Sequence, residues 1–142
     1  MMEETMATLT ILATDEHIQA VNDFIHAQLP SDCPLGVINQ IDLAVEEIYV
    51  NIAHYAYAPK QGNVTITCTV TKDEPLLSVT FADSGKPFDP LAKPDPDITL
   101  SAEERDIGGL GIFLTKEFMN SVSYRWEDGQ NMLTFTKKLG KY

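Results

Sequence analysis

Leu43-Ala44-Val45-Glu46-Glu47-Ile48-Tyr49-Val50-Asn51-Ile52-Ala53-His54-Tyr55 is the stretch whose reading decides the fold. Ile38, Ile41, Val45, Ile48, Ile52 and Tyr55 recur in steps of three and four, the spacing of an apolar stripe that faces a core. The spacing predicts one long helix over 35–56, stopped by Ala58-Pro59-Lys60-Gln61-Gly62-Asn63. Gln40, Ala44, Glu47, Asn51 and His54 form a second stripe, roughly 80° away at about 100° per residue. Asp42, Glu46 and Ala53 fall on the opposite side, the expected solvent face, while Leu43 and Val50 close the far flank of the second stripe. Glu47 and Asn51 thus lie one turn apart between apolar strips. A carboxylate and an amide in that setting suit holding a metal and aiming a water or hydroxyl. Ordinary polar residues on a half-exposed helix would give the same spacing, and this stretch alone leaves both readings open.

Outward from the helix, the chain divides simply. On the N-terminal side, 8–13 alternates weakly and is β-rich, so it predicts a strand. Thr14-Asp15-Glu16 then offers a helix cap with acids in the first turn, followed by helical spacing of Ile18, Val21, Phe24, Ile25 and Leu29. On the C-terminal side, Val64-Thr65-Ile66-Thr67-Cys68-Thr69-Val70 alternates strictly and is the clearest strand. A turn at Lys72-Asp73-Glu74-Pro75 leads to a strand over 76–82, which makes an antiparallel hairpin. Residues 86–106 show no periodicity and hold four of the eight prolines, and a patternless segment of about 20 residues inside a compact domain is usually functional or a lid. A short helix follows Gly108-Gly109-Leu110-Gly111, and 122–126 with 132–138 form a closing hairpin. The order β, α, α, β, β, lid, α, β, β predicts a two-layer α/β (α+β) sandwich, with a mixed sheet and helices on one face. Strands and helices do not alternate, which excludes a Rossmann arrangement.

The chain has 142 residues, enough for one domain, 1–142, with a real core. No run approaches the roughly 20 apolar residues of a membrane span. The acidic start, Met1-Met2-Glu3-Glu4, is unlike a signal peptide. Cys33 and Cys68 lack metal-ligand spacing, so free thiols and a cytoplasmic location are expected. A formal charge of −11 argues against nucleic acid or an anionic membrane as partner. An anionic ligand would then need local donors such as backbone N–H groups, a helix N-terminus or a metal.

Two further motifs bear on chemistry. In Asp83-Ser84-Gly85-Lys86-Pro87-Phe88-Asp89, an aspartate ends a strand and a glycine follows two residues on. A buried carboxylate there can accept from an exocyclic amine, and Gly85 removes the side chain where a flat base would approach. A plain turn uses the same residues. In Gly108-Gly109-Leu110-Gly111 the glycines open a helix. They would let N–H groups converge on phosphate oxygens, or serve as a lid hinge; the run is neither a Walker motif nor a dinucleotide fingerprint.

Taken in order, Glu47-x-x-x-Asn51 on a helix, Asp83-x-Gly85 after a strand, a proline-rich lid and Gly109-x-Gly111 entering a helix resemble the N, G1 and G2 boxes of the GHKL (histidine kinase-like) ATPase superfamily. The resemblance runs from Leu35 to the end and extends to Tyr55-Ala56-Tyr57. Within the superfamily the chain looks like the small stand-alone branch of anti-sigma factors and serine protein kinases. The resemblance implies a Bergerat-type, mostly antiparallel fold that binds ATP and Mg²⁺. By the same resemblance, Glu47 matches the catalytic carboxylate and Asn51 the Mg²⁺ ligand. Asp83 matches the residue that binds the adenine amine, and Gly85 the floor of that pocket. Gly108, Gly109 and Gly111 match the phosphate-contacting end of the lid. Thr134 resembles, more loosely, a threonine supporting the adenine pocket. Arg105 precedes the glycines and could reach the γ-phosphate, although the motif does not fix it. Helical geometry separately favours Glu47 over Glu46. His54 finds no role in the resemblance, and a structural histidine is the simpler reading.

The resemblance thus implies an ATP·Mg-binding regulatory protein of a partner-switching system. It would phosphorylate a serine on a STAS-type anti-sigma antagonist, act on a sigma factor, or do both. The alternative is a module that binds ATP without phosphotransfer and sequesters a sigma factor or other regulator. No phosphoacceptor histidine or dimerisation helix precedes the motifs, which disfavours a histidine kinase. A homodimer is expected, since the first strand could pair with a copy of itself if it lies at a sheet edge.

Overall fold

In the computed structural model, residues 4–92 and 110–140 are described. Strands β1 (Glu4–Leu12), β2 (Asn63–Thr71), β3 (Leu76–Asp83), β4 (Ser121–Glu127) and β5 (Gln130–Lys138) form one sheet in the order β1-β2-β3-β5-β4. All four pairings are antiparallel, as the mostly antiparallel expectation has it, while the mixed sheet expected from the element order is not found among the described residues. β1 starts four residues earlier than its own alternation predicts. Its length is set by β2, against which it pairs from Glu4↔Thr71 to Leu12↔Asn63. The β4–β5 hairpin turns through Asp128 and Gly129, both at positive φ (52° and 76°). That is the conformation of the two-residue turn whose twist matches paired strands, and an Asp-Gly pair favours it.

Alternation divides the sheet into two faces. Val64, Ile66, Cys68, Leu77, Val79, Phe81, Leu133 and Phe135 point into the core. The opposite face carries a threonine array, joined in places by hydroxyl pairs such as Thr10–Thr65 at 2.9 Å. Against the inner face lie helices α1 (Ile18–His26), α2 (Leu35–Asn51) and α3 (Leu110–Phe118), with α2 in contact with both others. A 3-10 turn, Asp15–His17, leads into α1, and Thr14 makes no side-chain cap.

α2 carries the central row Ile41, Ala44, Val45, Ile48 and Tyr49, all buried. The predicted apolar stripe is right as far as Ile52, which packs against the core, and then drifts. A π-helical turn, Ile52–Ala56, follows α2. Its i→i+5 bonding breaks the 3.6-residue phase, so Tyr55 ends 64% exposed rather than in the core. Ala53, expected in solvent, packs against the core instead. Ala44, expected on the polar stripe, is buried. The supposed solvent face is partly covered by α1: His26 Nε2 lies 2.5 Å from Asp42 Oδ1, and Asn22 Nδ2 donates to Glu46 Oε1 at 3.5 Å. Tyr49, absent from both predicted stripes, is buried because its hydroxyl secures the exit from β1. It donates to the Thr14 carbonyl at 2.6 Å and accepts the Thr14 N–H at 3.0 Å.

Candidate nucleotide site

Of the candidate residues, Glu47 and Asn51 lie where α2 runs into its π-turn, and Asp83 and Gly85 lie where β3 ends. On α2, Asn51 Nδ2 donates to Glu47 Oε1 at 3.1 Å. This bond orients the carboxylate, and it turns the amide oxygen of Asn51 away as a hard oxygen donor. Both residues are half-buried, whereas Glu46 is exposed. Gly111, in the first turn of α3, faces Glu47 directly. A Cβ built there would lie 2.1 Å from Glu47 Cδ. The glycine is therefore where α3 closes on the carboxylate.

Asp83 is only 4% exposed. Its Oδ1 accepts the Gly85 N–H at 2.9 Å and Asn131 Nδ2 at 3.0 Å. Among the described residues neither of these bonds uses Oδ2, which remains for an outside donor such as an amine. Asn131 sits directly across from Asp83 in the β3–β5 register and is 7% exposed. Its amide is fully engaged. It donates to Asp83 and to the Lys86 carbonyl (2.8 Å), and it accepts from the Phe88 N–H (2.9 Å) and the Tyr124 hydroxyl (2.5 Å). Four bonds use all of an asparagine's capacity, so Asp83 and the turn after it are fixed together.

Gly85 lies against backbone of the π-turn. A Cβ there would meet the Ala56 carbonyl oxygen at 2.2 Å, and the Lys86 N–H bonds that same oxygen at 3.0 Å. The missing side chain admits the end of the π-turn. This contact also brings the Asp83 turn beside the end of the helix that carries Asn51.

Thr134 does not take the place expected of it. It lies between the inward Leu133 and Phe135, hence on the opposite face of the sheet, and its hydroxyl pairs with Thr80 at 2.8 Å. A strand sends alternate side chains to opposite faces, so Thr134 cannot line a pocket with Asp83. Asn131 occupies the supporting position instead. Its sequence signal was available: a polar residue two positions before Leu133, on the core-facing parity. Arg105, Gly108 and Gly109 lie outside the described residues. His54 Nε2 lies 2.8 Å from both Asp15 carboxylate oxygens, tying the π-turn to the turn before α1, in keeping with a structural histidine. Among the described residues no group of three or more His, Cys, Asp or Glu could hold a metal, and no helix is long and apolar enough to cross a membrane.

A five-stranded antiparallel sheet with three helices against one face is an α/β sandwich. The chain belongs to the histidine kinase-like ATPase domain family, whose description matches residues 11–137. It is similar to the serine/threonine-protein kinase BtrW of Bordetella bronchiseptica, with 32% identity over 97 residues, covering 68% of this chain and 67% of BtrW. It is also similar to the serine-protein kinase RsbW of Listeria monocytogenes, with 28% identity over 101 residues, covering 68% of this chain and 63% of RsbW. In fold it matches a Mycobacterium tuberculosis protein solved as its RsbU and RsbW domains. The TM-score is 0.66 at 15% identity, covering 97% of this chain and 33% of that one.

Proposed function

We propose that this chain is an ATP·Mg-binding serine protein kinase and anti-sigma factor of a partner-switching system. The observation that carries this reading is the Glu47–Asn51 pair, joined at 3.1 Å and closed over by Gly111. Family membership and the kinases BtrW and RsbW among its relatives support it.

The residues present fit the implied groups. Mg²⁺ favours oxygen donors, keeps several waters and binds through few protein ligands plus phosphates. Asn51, half-buried and bonded to Glu47, offers one amide oxygen of that kind. The buried Asp83 carboxylate suits the 6-amino group of adenine. The bound ion would supply neutralisation of phosphate charge. The chain's own residues do the rest. Asp83 orients the base. Asn51 holds Glu47 by its Oε1, so that Glu47 Oε2 can take the proton of a partner's serine hydroxyl as that oxygen attacks the γ-phosphorus and ADP leaves. Gly108, Gly109 and Gly111 act as the phosphate-contacting lid end, with Arg105 reaching the γ-phosphate.

The substrate is a serine on a STAS-type anti-sigma antagonist, the second partner is a sigma factor, and the setting is the cytoplasm. A homodimer belongs to the same proposal, because β1 is an edge strand and edges are templates for pairing. Incubation with labelled ATP and a serine-bearing antagonist tests the reading. Label transfer should occur with wild type and fall at least about a hundredfold in Glu47→Gln, the scale of a lost general base. ATP binding without transfer would favour a pure sequestering module.

A further inference from the structure

Tyr55-Ala56-Tyr57 contains two tyrosines with opposite fates: Tyr55 is exposed, whereas the Tyr57 hydroxyl is bonded on both sides. It donates to the Asn63 carbonyl at 2.6 Å and accepts the Ser84 N–H at 2.8 Å. These two partners are not arbitrary. The β2–β3 ladder ends at Val64↔Asp83, so the next pair in the same register would be Asn63 with Ser84. The hydroxyl therefore stands between the two groups that would otherwise face each other, and it ends the ladder at Asp83. Gly62 makes room for this wedge, since a Cβ there would lie 2.4 Å from the Tyr57 ring.

Beyond the wedge the chain leaves the sheet with its amides satisfied. The Ser84 N–H goes to Tyr57, that of Gly85 to Asp83, that of Lys86 to the Ala56 carbonyl and that of Phe88 to Asn131. Residue 87 is proline and has none. The turn that carries Asp83 is thus held in shape without a ligand.

We propose that Tyr57 is a positioning residue for base recognition. By stopping the β2–β3 ladder one pair early, its hydroxyl sets the direction in which Asp83 presents its carboxylate to a 6-amino purine. This role rests on the proposal that the site binds a nucleotide. Without the hydroxyl, Asn63 and Ser84 can zip together and draw Asp83 out of line. The base contact is then lost while the phosphate end, built on Glu47, Asn51 and α3, stays intact.

The test compares ATP with purine riboside triphosphate, which lacks the 6-amino group, on wild type and Tyr57→Phe. One lost hydrogen bond of ordinary strength corresponds to roughly three- to tenfold in affinity. Wild type should prefer ATP, and Tyr57→Phe should erase about that much of the preference, leaving the analogue's Kd and the kcat at saturating ATP unchanged. Gly62→Ala, which drives a methyl into the Tyr57 ring, should give the same split. An unchanged preference in Tyr57→Phe overturns the proposal, and so does an equal weakening of both ligands, which would mark Tyr57 as merely structural. Wild type that binds neither triphosphate overturns nucleotide binding and the Tyr57 role with it; wild type that binds both, with Tyr57→Phe indistinguishable from it, overturns the Tyr57 role alone.

Discussion

Gly111→Ala perturbs the proposed catalytic carboxylate through a single methyl group. The new Cβ would lie 2.1 Å from both Cδ and Oε2 of Glu47. Ordinary contact begins near 3.4 Å, so the carboxylate must retreat by about 1 Å, a displacement that can lower a rate by about a hundredfold when positioning is what catalyses. Stability should hardly change. Alanine in place of glycine inside a helix favours folding by about 0.5–1 kcal/mol. The bond from Asn51 that Glu47 surrenders opposes this by about 0.5–1.5 kcal/mol. Glu47 is the end of a flexible side chain, so it can yield without moving backbone. The assay is phosphotransfer to a serine-bearing antagonist, with melting temperature and ATP affinity as controls. We expect a rate about a hundredfold lower, a Tm within a few degrees of wild type and little change in Kd for ATP. The double variant with Glu47→Gln should be no slower than Glu47→Gln alone, since both changes disable one group. A Gly111→Ala protein with full phosphotransfer would refute the reasoning, because its methyl and a working Glu47 cannot share that space.

The geometry carries three more expected outcomes. Asn131→Ala should weaken ATP binding by tenfold or more, because Asp83 loses a donor to Oδ1 and the turn loses two ties to its backbone, each worth roughly 1 kcal/mol; titration calorimetry measures it. Thr134→Val, on the other face of the sheet, should leave the same Kd untouched, and a loss there would return Thr134 to the pocket. Burial pushes the Cys68 thiol up from 9.0 to about 12. Between those values the unfolded thiol ionises while the folded one stays protonated, so stability is complete below pH 9 and falls as pH rises. Denaturant midpoints at pH 8 and pH 10 should show a loss of about 1.4 kcal/mol from this group, and the slope should flatten in Cys68→Ala.

Local periodicity made the sheet-and-helix layout legible, and it told the half-buried Glu47 from the exposed Glu46. It failed where the chain departs from a repeating geometry. Extrapolating 3.6 residues per turn past Asn51 placed Tyr55 in the core, yet the π-turn Ile52–Ala56 rotates the phase. The two residues that shape the Asp83 turn act over long sequence distances. Asn131 lies 48 positions from Asp83 and Tyr57 lies 27 from Ser84; strand parity marks Asn131 as facing inward, but nothing local names the partner of either. Thr134 is a different case. Strand alternation with Leu133 and Phe135 already assigned it to the outer face, so residue type misled where parity would have chosen Asn131. For Gly85 the neighbour that a side chain would strike, the Ala56 carbonyl, appears only once the helix end and the β3 turn are brought together.

Calorimetric titration of ATP·Mg into the wild-type chain and into Asp83→Asn tests the central claim most directly. Saturable binding of one ATP per chain is expected for wild type. In Asp83→Asn it should weaken about ten- to a hundredfold, the scale of a hydrogen bond to a charged group. Wild type that takes up no ATP, or an Asp83→Asn chain that binds it equally well, would contradict the assignment of this site.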